Sequence, residues 1–209
     1  MFIDQNNNPW FSISEFNIQS YCELQLKYIW SGIKFTTPQM VSGTARHKEL
    51  ENKFIEETKD LEEVTIPEAL ELAKKGISSV ARELRIKSFN FRLNGIIDHI
   101  EISPEGIIIL DDKPGDTAYP GSKTQLFMYA LAFKDCYRPD LDIRVKIRNR
   151  DTLETIWEEP FTENILENMQ EKLQKMCELA MHEREFAPTN NPKKCASCSY
   201  REMCQSKNN

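Results

Sequence analysis

Apolar positions along this chain recur with two different periods. Over 80–87, 89–102 and 107–113 they gather in short runs rich in Ile, Val and Phe, which predicts strands. The run Ile107-Ile108-Ile109-Leu110 is apolar on both faces and predicts a strand buried inside a sheet. Ser103-Pro104-Glu105-Gly106 supplies turn residues that join the second and third strands as a hairpin. Two more strands are predicted near 142–148 and 153–158. Helical patterning covers 12–30, opened by Ser12 or Ser14, and 42–59, where Ala45, Leu50 and Phe54 recur at near-helical spacing. Further helices are predicted over 67–75, opened by proline and closed by Gly76, over 121–134, and over 162–184. Helices, then a sheet, then helix, strands and helix predict one α/β domain spanning 1–209, with no repeat and no linker.

Composition narrows the setting. The 209 residues are 40% hydrophobic and 29% charged, ordinary for a globular protein with a sizeable core. No apolar run has membrane-spanning length, and the start MFIDQNNNPW lacks a basic segment followed by an apolar one. A cytoplasmic protein with no membrane partner is therefore expected. In a reducing compartment six cysteines are better suited to metal ligation or burial than to disulfides. The net charge of −6 gives no overall support to nucleic-acid binding, but a local basic groove can coexist with an acidic total.

Three cysteines close the chain with the spacing C-x2-C-x5-C: Cys195, Cys198 and Cys204. Three thiolates are one short of a tetrahedral set, and Cys22, within the first predicted helix, is the candidate fourth. Such a set suits an iron–sulfur cluster or zinc and would tie the two ends of the fold together. Cys136 and Cys177 stand outside it.

A second constellation sits on the hairpin. If the turn centres between Pro104 and Glu105, facing residues have numbers that sum to 209, which sets Asp98 against Asp111. Side chains alternate along a strand, so Asp111 and Lys113 share a face and Asp112 points to the other. Two carboxylates facing each other on an apolar strand repel, and a divalent cation between them resolves the conflict. Oxygen ligands suit Mg²⁺ or Mn²⁺, and Lys113 stands where it can orient a water beside the metal. His47 lies on the second helix, and Gln125 and Tyr129, spaced i, i+4, share one face of the helix after the lysine strand.

In combination these residues resemble the PD-(D/E)XK nuclease superfamily, and within it the RecB-type exonucleases that carry an iron–sulfur cluster. The order is the family's: Gly43 to His47 as G-x-x-x-H, Gly95-Ile96-Ile97-Asp98, the D-x-K strand with Asp111 and Lys113, Q-x-x-x-Y with Gln125 and Tyr129, and the cysteine tail. The resemblance runs from about Ser14 to Cys204. At this size, with no helicase appended, the chain is most similar to the CRISPR-associated RecB-like nucleases of spacer acquisition. It implies a restriction-endonuclease-like core, a central mixed sheet flanked by helices, with the N-terminal helix and cysteine tail closing an iron–sulfur site. It further implies that His47, Asp98, Asp111 and the Asp112 carbonyl bind Mg²⁺ or Mn²⁺, and that Lys113 activates water and stabilises charge on the phosphate. Gln125 and Tyr129 would position DNA. Cys22, Cys195, Cys198 and Cys204 would hold the cluster, [4Fe-4S] more often than [2Fe-2S] in relatives. The family more often has glutamate where this chain has Asp111, an accepted alternative in the superfamily's pattern.

The expected activity is hydrolysis of single-stranded DNA ends by a metal-dependent exonuclease, in partnership with CRISPR integrase proteins. Arg82, Arg85, Lys87, Lys123 and Tyr119 are candidates to line the strand's channel. A stand-alone repair or recombination nuclease, a non-catalytic nucleic-acid-binding protein and a zinc-stapled interaction protein are the competing readings.

Overall fold

The computed structural model describes residues 1–36 and 38–204, and within this range the side chains of residues 38–44 and 47 lie outside the described set. The predicted hairpin is its centre: β4 (Leu93–Ser103) and β5 (Gly106–Lys113) pair antiparallel from Ser103↔Gly106 to His99↔Leu110. Every pair sums to 209, the register expected from the turn. Around it stand β1 (Phe2–Ile3), β2 (Pro9–Ser12), β3 (Ser79–Ser88), β6 (Ile143–Asn149) and β7 (Thr155–Pro160), in the order β1-β2-β4-β5-β6-β7 with β3 on the free edge of β4. β2 on β4 and β5 on β6 run parallel, so the sheet is mixed.

The helices are α1 (Glu15–Tyr21), α2 (Glu23–Trp30), α3 (Pro38–Thr58), α4 (Ile66–Lys74), α5 (Pro120–Tyr137), α6 (Glu163–Ala180) and α7 (Pro192–Ala196). Their ends follow local chemistry. Thr65 and Glu68 form a reciprocal capping box on α4, and Gly76 (φ +88°) ends it in the left-handed region that glycine enters without strain. Thr162 caps α6 by accepting from the Ile165 N–H, and Met169, Leu173, Met176 and Ala180 set its buried stripe. α5 is buried on most sides because it lies between the sheet and helices α1 and α6.

The chain departs from the sequence reading in two places. The first predicted helix is two helices. Ser12 belongs to β2, and Cys22 is extended (φ −169°, ψ 121°) between α1 and α2. Hydroxyl-rich 12–14 reads as a cap region, but the chain satisfies this entry with Glu15 instead. Its carboxylate accepts from the Ser12 N–H (2.8 Å), the Trp30 indole (2.6 Å) and the N-terminal ammonium (2.7 Å).

The second departure is a break in strand alternation. On β4 the buried positions are Leu93 and Ile97, then Ile100 and Ile102, so the pattern changes phase between 97 and 100. On β3 the residue at the matching level, Glu83, has φ +51° and is skipped by the ladder, which runs Arg82↔His99 then Leu84↔Ile97. β3 pairs with β4 from Leu93 to Ile102 along one edge. Both other partners therefore share the opposite edge, β2 at Leu93–Asn94 and β5 at His99–Ser103. Between them, residues 95–98 fall outside both registers.

Candidate active site

The gap in the sheet is where the charged residues meet. Asp98 is its last residue before β5 joins, and Asp111 lies one step beyond the His99↔Leu110 pair. Desolvation by burial pushes the Asp98 carboxyl far above the ordinary carboxylate range, and the adjacent Asp111 charge pushes the same way. Lys113 Nζ stands 2.8 Å from Asp111 Oδ2. Burial works to lower the Lys113 pKa, but the charges of Asp111, Asp98 and Asp112 outweigh it and hold the ammonium above its usual value. Asp111 itself is only 3% exposed. A buried carboxylate beside a second buried carboxyl group, with one ammonium against it, forms a donor set suited to a hard divalent cation.

Asp112 points to the opposite face, as alternation requires. Arg148 grips it through Nε (2.7 Å) and Nη2 (3.1 Å), and Arg82 Nη2 approaches to 3.4 Å. Arg82 also lies 3.3 Å from His99 Nδ1, while His99 Nε2 lies 3.2 Å from Glu101. This charged layer braces β5 from behind the carboxylate pair. It also removes Arg82 from the channel candidates, since its side chain is 5% exposed and engaged in that layer. Lys123 rests over the Trp157 ring, 4.5 Å from its centroid, and Tyr119 is exposed ahead of α5. Arg85 and Lys87 line a groove beside the gap, and Tyr129 forms part of its wall.

Gln125 and Tyr129 do share a face of α5, and they reach the gap. Asn17 on α1 donates to Gln125 Oε1 (3.2 Å), and the Tyr129 hydroxyl meets Gln125 and the Ile96 backbone. Burial pushes the Tyr129 phenol up to about 12, with those two contacts working against it, so it stays a neutral hydroxyl. Tyr129 is 7% exposed and more buried than a DNA-facing side chain was expected to be. Sequence reasoning missed Asn17, Arg148 and Glu83. Only Arg148 carried a signal, being one of the strand residues that β6 sets directly beside Asp112. The His47 imidazole lies outside the described side chains.

Cys22, Cys195, Cys198 and Cys204 line one cavity of about 770 Å³. The break at Cys22 aligns it with the tail rather than with a helix face. The Thr189 N–H points at Cys22 Sγ (3.4 Å) and Gln25 Nε2 at Cys198 Sγ (3.2 Å). The tail is anchored by Tyr28 Oη on the Met203 carbonyl (3.0 Å), Tyr200 Oη on the Ile33 carbonyl (3.1 Å) and stacked Tyr28 and Tyr200 rings. Cys136 and Cys177 do not line the cavity. Among the described residues no group of three or more His, Cys, Asp or Glu is drawn together tightly enough for a single metal ion.

A model of the PD-(D/E)XK nuclease superfamily matches residues 26–205, a span that includes Asp98, Asp111, Lys113 and the cysteine tail but not Cys22. A presumed exonuclease from Eubacterium rectale shares the fold at TM-score 0.53 and 13% identity, over 97% of this chain and 93% of that one. The protein SSO0001 does so at TM-score 0.51 and 13% identity, over 99% and 90%. A comparison with curated proteins finds no match.

Proposed function

We propose, since the chain belongs to the PD-(D/E)XK nuclease superfamily, that it is a metal-dependent deoxyribonuclease acting on single-stranded DNA ends. One observation carries the reading: buried Asp111 stands beside the buried Asp98 carboxyl, with Lys113 Nζ 2.8 Å away. Asp98, Asp111, the His47 imidazole and the Asp112 carbonyl would hold Mg²⁺ or Mn²⁺. Such an ion, when bound, lowers the pKa of a nearby water and neutralises charge on the phosphate. Lys113 donates a hydrogen bond to the attacking water and sets a positive charge beside the phosphate oxygens. Water oxygen bonds to phosphorus, the bond to the sugar oxygen breaks, and the water's protons leave with the departing oxygen and bulk solvent. Tyr129 and Gln125 hold the 95–98 segment in place, so that Asp98 keeps its position when substrate enters.

The cysteine cavity supports an iron–sulfur cluster as a staple between α1–α2 and the tail. Four cysteines lining one cavity of about 770 Å³ are a ligand set that would hold a cluster, with a single zinc ion as the alternative. We place the enzyme in CRISPR spacer acquisition, trimming DNA for an integrase, because the whole motif order resembles that family. A repair nuclease shares the same site, and integration assays with purified integrase separate the two. The central test is cleavage of end-labelled single-stranded and blunt duplex DNA with Mg²⁺, Mn²⁺ or EDTA. Metal-dependent loss of single-stranded ends that disappears in Asp111→Ala is expected; metal-independent cleavage, or none by the intact protein, refutes the reading.

A further inference from the structure

The groove of about 520 Å³ beside the sheet gap is basic in an acidic protein. Its floor includes Gly95, Ile96 and Tyr129, the stretch that ends at Asp98. Its rim carries Arg85 and Lys87, and no carboxylate lines it. Arg85↔Ile96 and Lys87↔Asn94 are facing pairs of β3 and β4, so the two cations stand on one face of β3, about 7 Å apart along the strand. Neither has a carboxylate partner among the described residues. Lys87 Nζ instead lies 4.8 Å from the Trp10 ring centroid and 4.9 Å from that of Phe89. Two rings fix the ammonium in place without cancelling its charge. Phe89, braced edge-on by Trp10, is 70% exposed just beyond Lys87.

From this we infer that the groove is the track of the substrate strand, with Arg85 and Lys87 taking successive phosphates and Phe89 stacking a base at its outer end. The inference rests on the nuclease reading and specifies which strand geometry that site accepts. A line of cations at strand spacing, ending in an exposed ring, matches a single strand with unstacked bases. A duplex keeps its bases paired and offers Phe89 nothing to stack on. The track runs from Ile96, two residues before Asp98, toward Phe89, so a substrate must extend several nucleotides to one side of the scissile bond.

The test measures binding of fluorescein-labelled twelve-nucleotide oligothymidylate by the full chain in EDTA across a range of salt, and cleavage with Mn²⁺ in parallel. Removing two phosphate contacts in Arg85→Ala/Lys87→Ala should flatten the slope of log affinity against log salt by about 1.4, at about 0.7 per contact. Phe89→Ala should weaken binding roughly tenfold, the scale of one base–aromatic contact, while Phe89→Trp keeps it. In both weakened variants KM should rise with kcat little changed, and Lys175→Ala, on the exposed face of α6, should behave as wild type. Melting curves establish that each variant is folded. If wild type binds and cleaves while the double variant keeps the wild-type salt slope, the track is wrong and the nuclease reading stands. If wild type neither binds nor cleaves DNA, both fall.

Discussion

The ring of Tyr129 passes 2.8 Å from the point where a β-carbon on residue 95 would stand. Ile13 Cβ lies 3.3 Å from the same point, so a methyl group there would press on both side chains. Gly95 is needed here for space and not for a left-handed backbone, since its φ is not positive. Gly95→Ala should displace Tyr129 from Ile96 and Gln125, cost about 1–3 kcal/mol as overpacking does, and lower cleavage at least tenfold. Denaturant unfolding and a cleavage assay check this. A variant with wild-type stability and rate would show that the contact yields easily.

That glycine marks the boundary between what was legible in the sequence and what was not. The hairpin register followed from turn residues and strand alternation alone, so Asp98, Asp111 and Lys113 could be brought together from the sequence. The phase change that frames Asp98 could not. It depends on Glu83 adopting φ +51° and on β2 and β5 dividing one edge of β4, which are long-range outcomes of packing. β2 was hidden because Ser12 and Ser14 read as a helix cap. The break at Cys22 was hidden because its neighbours are good helix formers, and the tail's anchors override that preference. Asn17 lies 108 positions from Gln125, a separation that no local pattern bridges.

Asp98 and Asp111 oppose each other at a cost to the metal-free fold. Asp98→Asn should therefore abolish cleavage yet raise the melting temperature of metal-free protein, by about 2–4 °C for each kcal/mol recovered. Mn²⁺ should stabilise wild type and leave the variant unchanged. Lys113→Ala should differ from both, keeping the Mn²⁺-induced shift while slowing turnover on the order of a hundredfold or more. Melting curves with and without Mn²⁺ decide it: an Asp98→Asn variant that Mn²⁺ still stabilises like wild type would refute the ligand role.

Arg148 is the main partner of a fully buried carboxylate. Removing one member of such a pair leaves an uncompensated charge, so Arg148→Ala should destabilise the protein by about 3–5 kcal/mol. Arg82 offers only a longer contact to the same group and cannot replace the bidentate grip. The double variant Arg148→Met/Asp112→Leu should recover only part of the loss, because it removes the unpaired carboxylate but takes from buried Arg82 its carboxylate partner. A single variant within about 1 kcal/mol of wild type, by urea denaturation, contradicts the bracing role.

The cysteine cavity gives the last prediction. Cys22 is the one ligand candidate far from the tail in sequence, and its extended backbone points it into the cavity rather than along a helix. If a cluster joins these elements, its loss releases the tail from α1 and α2, because a structural metal site contributes directly to folding. Cys22→Ser should then lose iron and visible absorbance as fully as Cys198→Ser, and both should melt lower and be cleaved by protease between 181 and 204. Cys136→Ser and Cys177→Ser should keep both iron and colour. Thr189 and Gln25 act through the sulfurs, so Gln25→Leu should keep the iron but shift the reduction potential. Iron analysis, absorption spectra and voltammetry on the five variants provide the measurements. Purified protein that carries stoichiometric zinc and no iron would replace the cluster with a zinc staple, leaving the carboxylate site as described.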